Sequence, residues 1–433
     1  MLLLRLLVLA AMLGVCLVGG APAGAQDDPS SAAPGPDPDL LQGIQDQVSQ
    51  LRKLPSLADV QLSVLDHAGL RQYLVDTFER DYLPSERESD QKELVALGLI
   101  KPSDDIVKIS LDLLSDEVIG VYDPDQKAMV VLGDVDTFGP AERVTFAHEF
   151  THALQDQHYD LNRLAPKHPT SNDRSLAVHA LIEGDAVMLQ TQWARSYLSV
   201  AELGELVRGG GGGGDTLAAV PPILRAELLF PYIDGLNFVR QIYQEAGNDY
   251  TALDAVFRHP PESTAQILHL DKYRDQVHPT DVELPDLAAR LGPDWRQVGS
   301  GVLGELDLRV LLEQYGDRSE AARVAPGWSG DRWLLLEQNG HTLITLKTTW
   351  DSEASARAFF AAYGRGLRAR FPGATAEQAG SDHEALTAPT AATDLRLTGR
   401  DVLAVIGFDR QSVDGALAAL SPAASALLPV PAL

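Results

Sequence analysis

Apolar and polar positions alternate along the chain with more than one period, and the changes of period mark its elements. Leu40 to Leu114 carries apolar residues mostly at helical spacing and reads as a set of helices closed by Asp112 to Glu117. Val118-Ile119-Gly120-Val121-Tyr122 and Ala128-Met129-Val130-Val131-Leu132 are apolar runs on either side of Asp123-Pro124-Asp125-Gln126, which predicts a hairpin. Pro140, with Glu142 in the first turn, opens a helix that runs to about Gln157. A long helix is expected from about Asp173 to Val207, capped by Asn172 or Asp173. Gly209 to Gly214 is a run of six glycines and reads as a loop or linker. Ile223 to Ala246 is helical, disturbed at Pro231 and stopped by Gly247-Asn248, and Ser263-Thr264-Ala265-Gln266 forms a capping box for a short helix.

The last third changes character again. Leu303 to about Ala325 reads as helix and Gly327 to Asp331 as a turn. Arg332 to Gln338 and His341 to Thr348 flank Asn339-Gly340, a strong hairpin signal. Asp351 or Ser352 caps a helix to about Phe371, and Asp394 to Thr398 pairs with Val402 to Phe408. The expected fold class is therefore α+β: a mainly helical part over residues 40–299 with an edge hairpin, and a C-terminal α+β domain over 300–433.

The two ends of the picture come from composition. Leu6 to Val18 is an apolar run after a short start carrying Arg5, and Ala23-Gly24-Ala25 is a cleavage pattern. Residues 1–25 read as a signal peptide cut before Gln26, which predicts a secreted or extracytoplasmic protein with no membrane span in the mature chain. Gln26 to Asp39 is rich in Pro, Ser and Asp and reads as a disordered spacer. The only cysteine, Cys16, falls within that signal peptide, so the mature chain has no disulfides. The formal net charge of −26 argues against nucleic acid as a partner, because phosphate contacts need clustered Lys and Arg.

Chemistry concentrates in the Pro140 helix. His148-Glu149-Phe150-Thr151-His152 is an H-E-x-x-H motif. Residues four apart on a helix differ by only about 40° around its axis, so both imidazoles share one face and can share one ion. Neutral imidazole suits zinc, and Glu149 lies next to the ion in position to move a proton. A catalytic zinc site needs a third protein ligand. Glu183, a carboxylate in the apolar turn Ala180 to Ala186, is the candidate; Gly184 beside it fits close approach to the His148 helix. His179, four residues before Glu183, is an alternative ligand, and Asp185 a weaker one.

Taken together, HEFTHALQDQH (His148 to His158), LIEGDA (Leu181 to Ala186), Gly120 to Pro124, FPY (Phe230 to Tyr232) and PPESTAQILH (Pro260 to His269) resemble the gluzincins. These are the thermolysin-like clan of zinc metallopeptidases, and the chain more closely resembles a group of exported bacterial members. GWSGDRW (Gly327 to Trp333) and TTWDS (Thr348 to Ser352) share in the likeness. The resemblance implies a zincin-like core and hydrolysis of peptide or protein substrates by zinc-activated water. It implies His148, His152 and Glu183 as zinc ligands and Glu149 as general base and acid. It also implies a second donor to the oxyanion, for which Tyr232, His269 and Tyr273 are candidates. One position departs from thermolysin: the Asp that orients a ligand His there is Val187 here, while Asp185 points to another face. An alternative function is a non-catalytic extracytoplasmic binding protein on the same scaffold.

Overall fold

The computed structural model describes residues 37–117, 120–132, 138–209 and 214–421. The expected signal peptide, most of the spacer, Val118 and Ile119 of the first expected strand, and Gly210–Gly213 lie outside the described residues. The fold is α+β. Among the described residues no helix is long and apolar enough to cross a membrane.

The chain divides into two compact units. The first holds the described residues up to Arg87 together with Ser103–Val277, and the second holds Glu88–Pro102 and the described residues from His278 onward. The boundary thus falls at 277/278 rather than the expected 299/300, and a segment of the N-terminal helical region belongs to the second unit.

In the first unit, α1 (Pro38–Arg52) starts where the spacer was expected to end, with Asp37 accepting from the Asp39 N–H. β1 (Gln61–Leu65) is a strand inside the stretch expected to be helical, followed by α2 (His67–Asp81), α3 (Pro84–Leu97), which straddles the division, and α4 (Ile106–Glu117). The hairpin is present as β2 (Gly120–Asp123) and β3 (Ala128–Leu132). It is part of a three-stranded sheet in the order β1-β3-β2, with β1 parallel and β2 antiparallel to β3. The centre of the sheet is the all-apolar Ala128-Met129-Val130-Val131-Leu132, buried on both faces as a central strand requires. Only β2 of the hairpin is an edge. Its turn is set by Asp123, whose carboxylate accepts the backbone N–H groups of Asp125 (2.7 Å) and Gln126 (3.0 Å).

Two long helices carry the candidate chemistry. α5 (Pro140–Tyr159) begins at the predicted proline and is buried without interruption from Val144 to Asp156. α6 (Leu161–Leu164) is a single turn after it. α7 (Asn172–Tyr197) is capped by Ser171, one residue before the expected cap, and is buried from Ser175 to Gln190. A helix buried on all sides is usually apolar all round, and both helices break that rule with several buried polar residues. The expected long helix stops at Tyr197, because Ser199 restarts the chain as α8 (Val200–Gly209): its N–H donates to Glu202 and its hydroxyl accepts the Glu202 N–H. α9 (Gly214–Ala219) precedes α10 (Pro222–Phe230), a π-helical turn (Pro231–Gly235) and α11 (Leu236–Glu245), the disturbance expected at Pro231. α12 (Thr251–Arg258), α13 (Thr264–Leu268) and α14 (Leu270–Arg274) complete the unit; Ser263 caps α13, and Thr264 is tied through its N–H (2.9 Å) and hydroxyl (2.5 Å) to Asp173.

The second unit is built on a seven-stranded antiparallel sheet, in the order β4-β5-β6-β10-β9-β8-β7. α15 (Leu287–Leu291) and β4 (Arg296–Gly301) lead into α16 (Gly304–Tyr315) and α17 (Arg318–Val324). β5 (Trp328–Gln338) and β6 (His341–Trp350) turn at Asn339 and Gly340, both at positive φ (52° and 79°), as the sequence predicts. The strand starts at Trp328, so the stretch expected to be a turn is largely strand. Ser352 caps α18 (Glu353–Arg370); β7 (Thr375–Ala379), β8 (His383–Ala388), β9 (Ala391–Thr398), β10 (Asp401–Gly407) and α19 (Arg410–Leu420) follow. Leu287 of α15 and Val413, Ala416 and Leu417 of α19 pack on one face of the sheet against Leu334, Leu336, Leu343 and Val405. Asp331 explains the Gly327 to Trp333 motif. Its carboxylate accepts the N–H groups of Leu303 (2.8 Å) and Gly304 (2.9 Å) and the Trp328 indole (2.9 Å), so it caps α16 from a distance.

Candidate metal centre

The spacing of His148 and His152 on α5 brings their Nε2 atoms to 3.0 Å from each other. Glu183 projects from α7, and its Oε2 lies 3.3 Å from His148 Nε2 and 3.6 Å from His152 Nε2. All three side chains are buried. Two ligands bound at 2.0–2.1 Å to a tetrahedral ion lie roughly 3.3 Å apart, so the three atoms already stand at the separations one ion demands. Among the described residues Glu183 Oε2 has no hydrogen-bond partner although it is enclosed, an arrangement that costs free energy unless a cation satisfies it. This His-His-Glu group can hold a metal ion.

The electrostatics prepare Glu183 for that use. Burial alone would push the Glu183 carboxyl up, but the facing His152 and His148 hold it down at about 2, so it is ionised. Burial would lower His152, and the Glu183 charge instead carries it up to about 9. Glu149 is the opposite case. Enclosure pushes it up to about 8, with Glu183 adding to the effect and the Tyr122 N–H opposing it. That N–H, on β2, donates to Glu149 Oε2 at 2.8 Å, while Oε1 has no hydrogen-bond partner among the described residues. The hairpin thereby fixes one oxygen of Glu149 and leaves the other free.

The hairpin is itself fastened to α5. Tyr122 donates through its hydroxyl to Asp156 Oδ2 (2.7 Å), Lys127 pairs with the same oxygen (2.6 Å), and the Leu161 N–H donates to Asp156 Oδ1 (3.1 Å). Strand β2 and the His helix are therefore one rigid piece around Glu149.

A ligand imidazole usually has a partner on its other nitrogen. For His152 that partner is Gln155, whose Oε1 lies 2.9 Å from Nδ1. Gln155 is held in turn: its amide donates to the Ile182 carbonyl and to Asp185 Oδ2, both at 3.0 Å. Asp185 pairs with buried Arg52 at 3.0 Å, and Arg52 also reaches Asp254 at 3.0 Å and lies over the Tyr250 ring. So Asp185 does face away from the ligand side of α7, yet it acts on His152 through Gln155. The buried Gln190 amide neighbours His148 and favours its charged form, although burial keeps that imidazole's pKa low.

A cleft opens beside the cluster in the first unit. Its floor holds His152, Glu183, His179 and Ile182; its walls hold Tyr122, Pro124 and the end of α2, including Thr77 and Arg80. At the rim, Asp81 pairs with Arg80 (2.7 Å) and Lys167 (2.8 Å), and Lys167 also pairs with Asp125. The expected N-terminal helices thus form part of the cleft itself.

Glu183 converges with the two histidines as expected, and His179, the alternative ligand, stays outside the group of ligand atoms that lie within 4.8 Å of one another. Three expectations are corrected. Gly184 makes its close approach to the π turn rather than to the His helix: a Cβ there would stand 2.4 Å from the Gly235 carbonyl carbon and oxygen. Tyr232, expected as an oxyanion donor, is buried in that π turn and does not line the cleft. His269 and Tyr273 are likewise away from the cleft lining, since His269 joins α13 to α14 and the Tyr273 hydroxyl donates to the His259 carbonyl at 2.8 Å. Sequence reading missed Gln155, Arg52 and the Tyr122 N–H. Gln155 was within reach, being three residues past His152 on the same helix face.

A family described as Domain of unknown function (DUF8575) matches residues 290–417. The match lies wholly in the second unit and includes none of the metal-centre residues. No curated protein and no solved structure matches the chain.

Proposed function

We propose that the chain is an exported zinc-dependent metallopeptidase that hydrolyses peptide bonds of a peptide or protein substrate. The observation that carries the reading is the convergence of His148, His152 and Glu183 within 3.0–3.6 Å, with Glu149 held beside them by one oxygen only. Two imidazoles and a carboxylate, with no thiol, form the donor set of catalytic rather than structural zinc. When bound, zinc would supply Lewis acidity to a substrate carbonyl and acidify a water in its open position.

The remaining work falls to the chain. His148, His152 and Glu183 bind the ion, and Gln155 orients His152. Glu149 takes a proton on Oε1 and returns it to the departing amine; enclosure raises this carboxyl, and the charge of a bound ion would oppose that rise and favour the carboxylate that takes the proton. The edge of β2 and the cleft walls receive the substrate chain, and enclosure of the cluster limits water. The experiment is peptide cleavage by zinc-loaded protein with and without Glu149→Gln. Cleavage that disappears in the variant while zinc remains bound supports the reading. No cleavage of any tested peptide library by the zinc-loaded wild type leaves a binding protein on this scaffold.

A further inference from the structure

His179 is the one histidine on the cleft floor that the metal centre does not use. It sits one turn before Glu183 on α7, is buried, and lines the cleft together with His152 and Glu183. Its Nδ1 lies 2.8 Å from the Ser175 carbonyl oxygen. A carbonyl only accepts, so Nδ1 carries the hydrogen of that bond. In the neutral imidazole the other nitrogen, Nε2, is then an acceptor with an unpaired lone pair. Nδ1 points back along the helix, so Nε2 points away from it, and among the described residues it has no hydrogen-bond partner. Burial favours the neutral form of this ring, which agrees with the tautomer fixed by the Ser175 bond.

A buried acceptor with no donor is costly, and proteins retain one where a ligand supplies the donor. The ring does not serve as a fourth metal ligand, because its nitrogen stays outside the converging group. Nor does it donate to a developing oxyanion, since its one hydrogen is committed to Ser175. What it offers the cleft is a fixed acceptor beside the metal ligands. The complementary group is an N–H, and a peptide carries one at every residue except proline.

We propose that His179 is a substrate-contacting residue whose Nε2 accepts a hydrogen bond from an N–H of the chain bound in the cleft, selecting ligands with a secondary amide N–H beside the metal centre. This rests on the metallopeptidase reading above. It adds a requirement that the metal alone does not impose: a substrate N-methylated at that position loses the bond and leaves a buried acceptor unpaired.

The test uses the zinc-loaded full chain and two small probes, acetohydroxamate and N-methylacetohydroxamate, which chelate alike and differ in the N–H. Calorimetry measures both affinities for wild type, His179→Leu and His179→Gln, and elemental analysis measures zinc in each. The wild type is expected to prefer the N–H probe by about tenfold. His179→Leu keeps one zinc and loses the His179 part of the preference, while His179→Gln, whose amide oxygen also accepts, recovers some of it. A preference unchanged in His179→Leu, with zinc retained, overturns the proposal alone. Loss of zinc in both His179 variants also overturns it, because the residue would then support the metal rather than the substrate. A wild type that holds no zinc overturns the reading of the site beneath, and this proposal with it.

Discussion

Gln155 holds His152 by an amide rather than a carboxylate, and this has consequences for an ion bound at the site. An amide fixes the ring without adding charge, and it is itself fixed by Ile182 and by the Asp185–Arg52 pair. Gln155→Leu is expected to weaken zinc binding by about 10- to 100-fold with the fold intact, measured by competition with a chromophoric chelator. An affinity equal to wild type would show that His152 needs no such partner. Arg52→Met acts differently, because it strands Asp185 as a buried charge; a loss of about 3–5 kcal/mol of stability is expected in urea titrations, and a change below about 1 kcal/mol would refute the assignment. Glu149→Gln should retain one zinc and lower peptide cleavage by about 10²–10⁴-fold in initial-rate assays. At this scale the sequence was most legible where chemistry is local: His148, Glu149 and His152 are fixed by helix spacing alone. Glu183 was legible because a carboxylate stands out in an apolar turn. Arg52 was not, because its partners lie more than a hundred residues away along the chain.

The crossing of α7 with the π turn sets where Glu183 stands. Gly184 and Gly235 face each other so closely that a Cβ on Gly235 would lie 2.1 Å from the Ala180 carbonyl oxygen, and one on Gly184 2.4 Å from Gly235. Backbone cannot swing aside as a side chain does. Gly184→Ala is therefore expected to destabilise the protein by at least about 1–3 kcal/mol and to reduce zinc affinity, read from thermal melts and chelator competition. An alanine variant as stable as wild type would contradict the crossing. The elements legible in the sequence are those with strong punctuation: Pro140, the Asn339-Gly340 turn, Pro231 and the Ser352 cap. Two of the strands that were missed lack a burial signal. β1 has Leu62, Val64 and Leu65, none of them buried, and every residue of β7 is exposed, so neither writes a clear apolar pattern into the chain. The long helix was over-extended because its apolar spacing continues past Tyr197, and only the Ser199–Glu202 cap interrupts it.

At the scale of the molecule, the site lies within the first unit, while the family match lies within the second. The division escaped sequence reading because Glu88–Pro102 is helical like its surroundings but packs in the second unit; the Gly98 carbonyl, for example, accepts from Tyr315 at 3.0 Å. Zinc bound only by the first unit stabilises only that unit directly. Calorimetry is expected to show a transition that falls in temperature on chelation and a second that does not move; a single transition, or two that shift together, would contradict independent units. The central claim is narrower and needs one measurement: zinc per chain, by elemental mass spectrometry, after the full-length protein is equilibrated with zinc and freed of unbound ion. One zinc per chain, lost in Glu183→Ala, is the predicted result. No retained zinc in the wild type would contradict the metal centre and everything built on it.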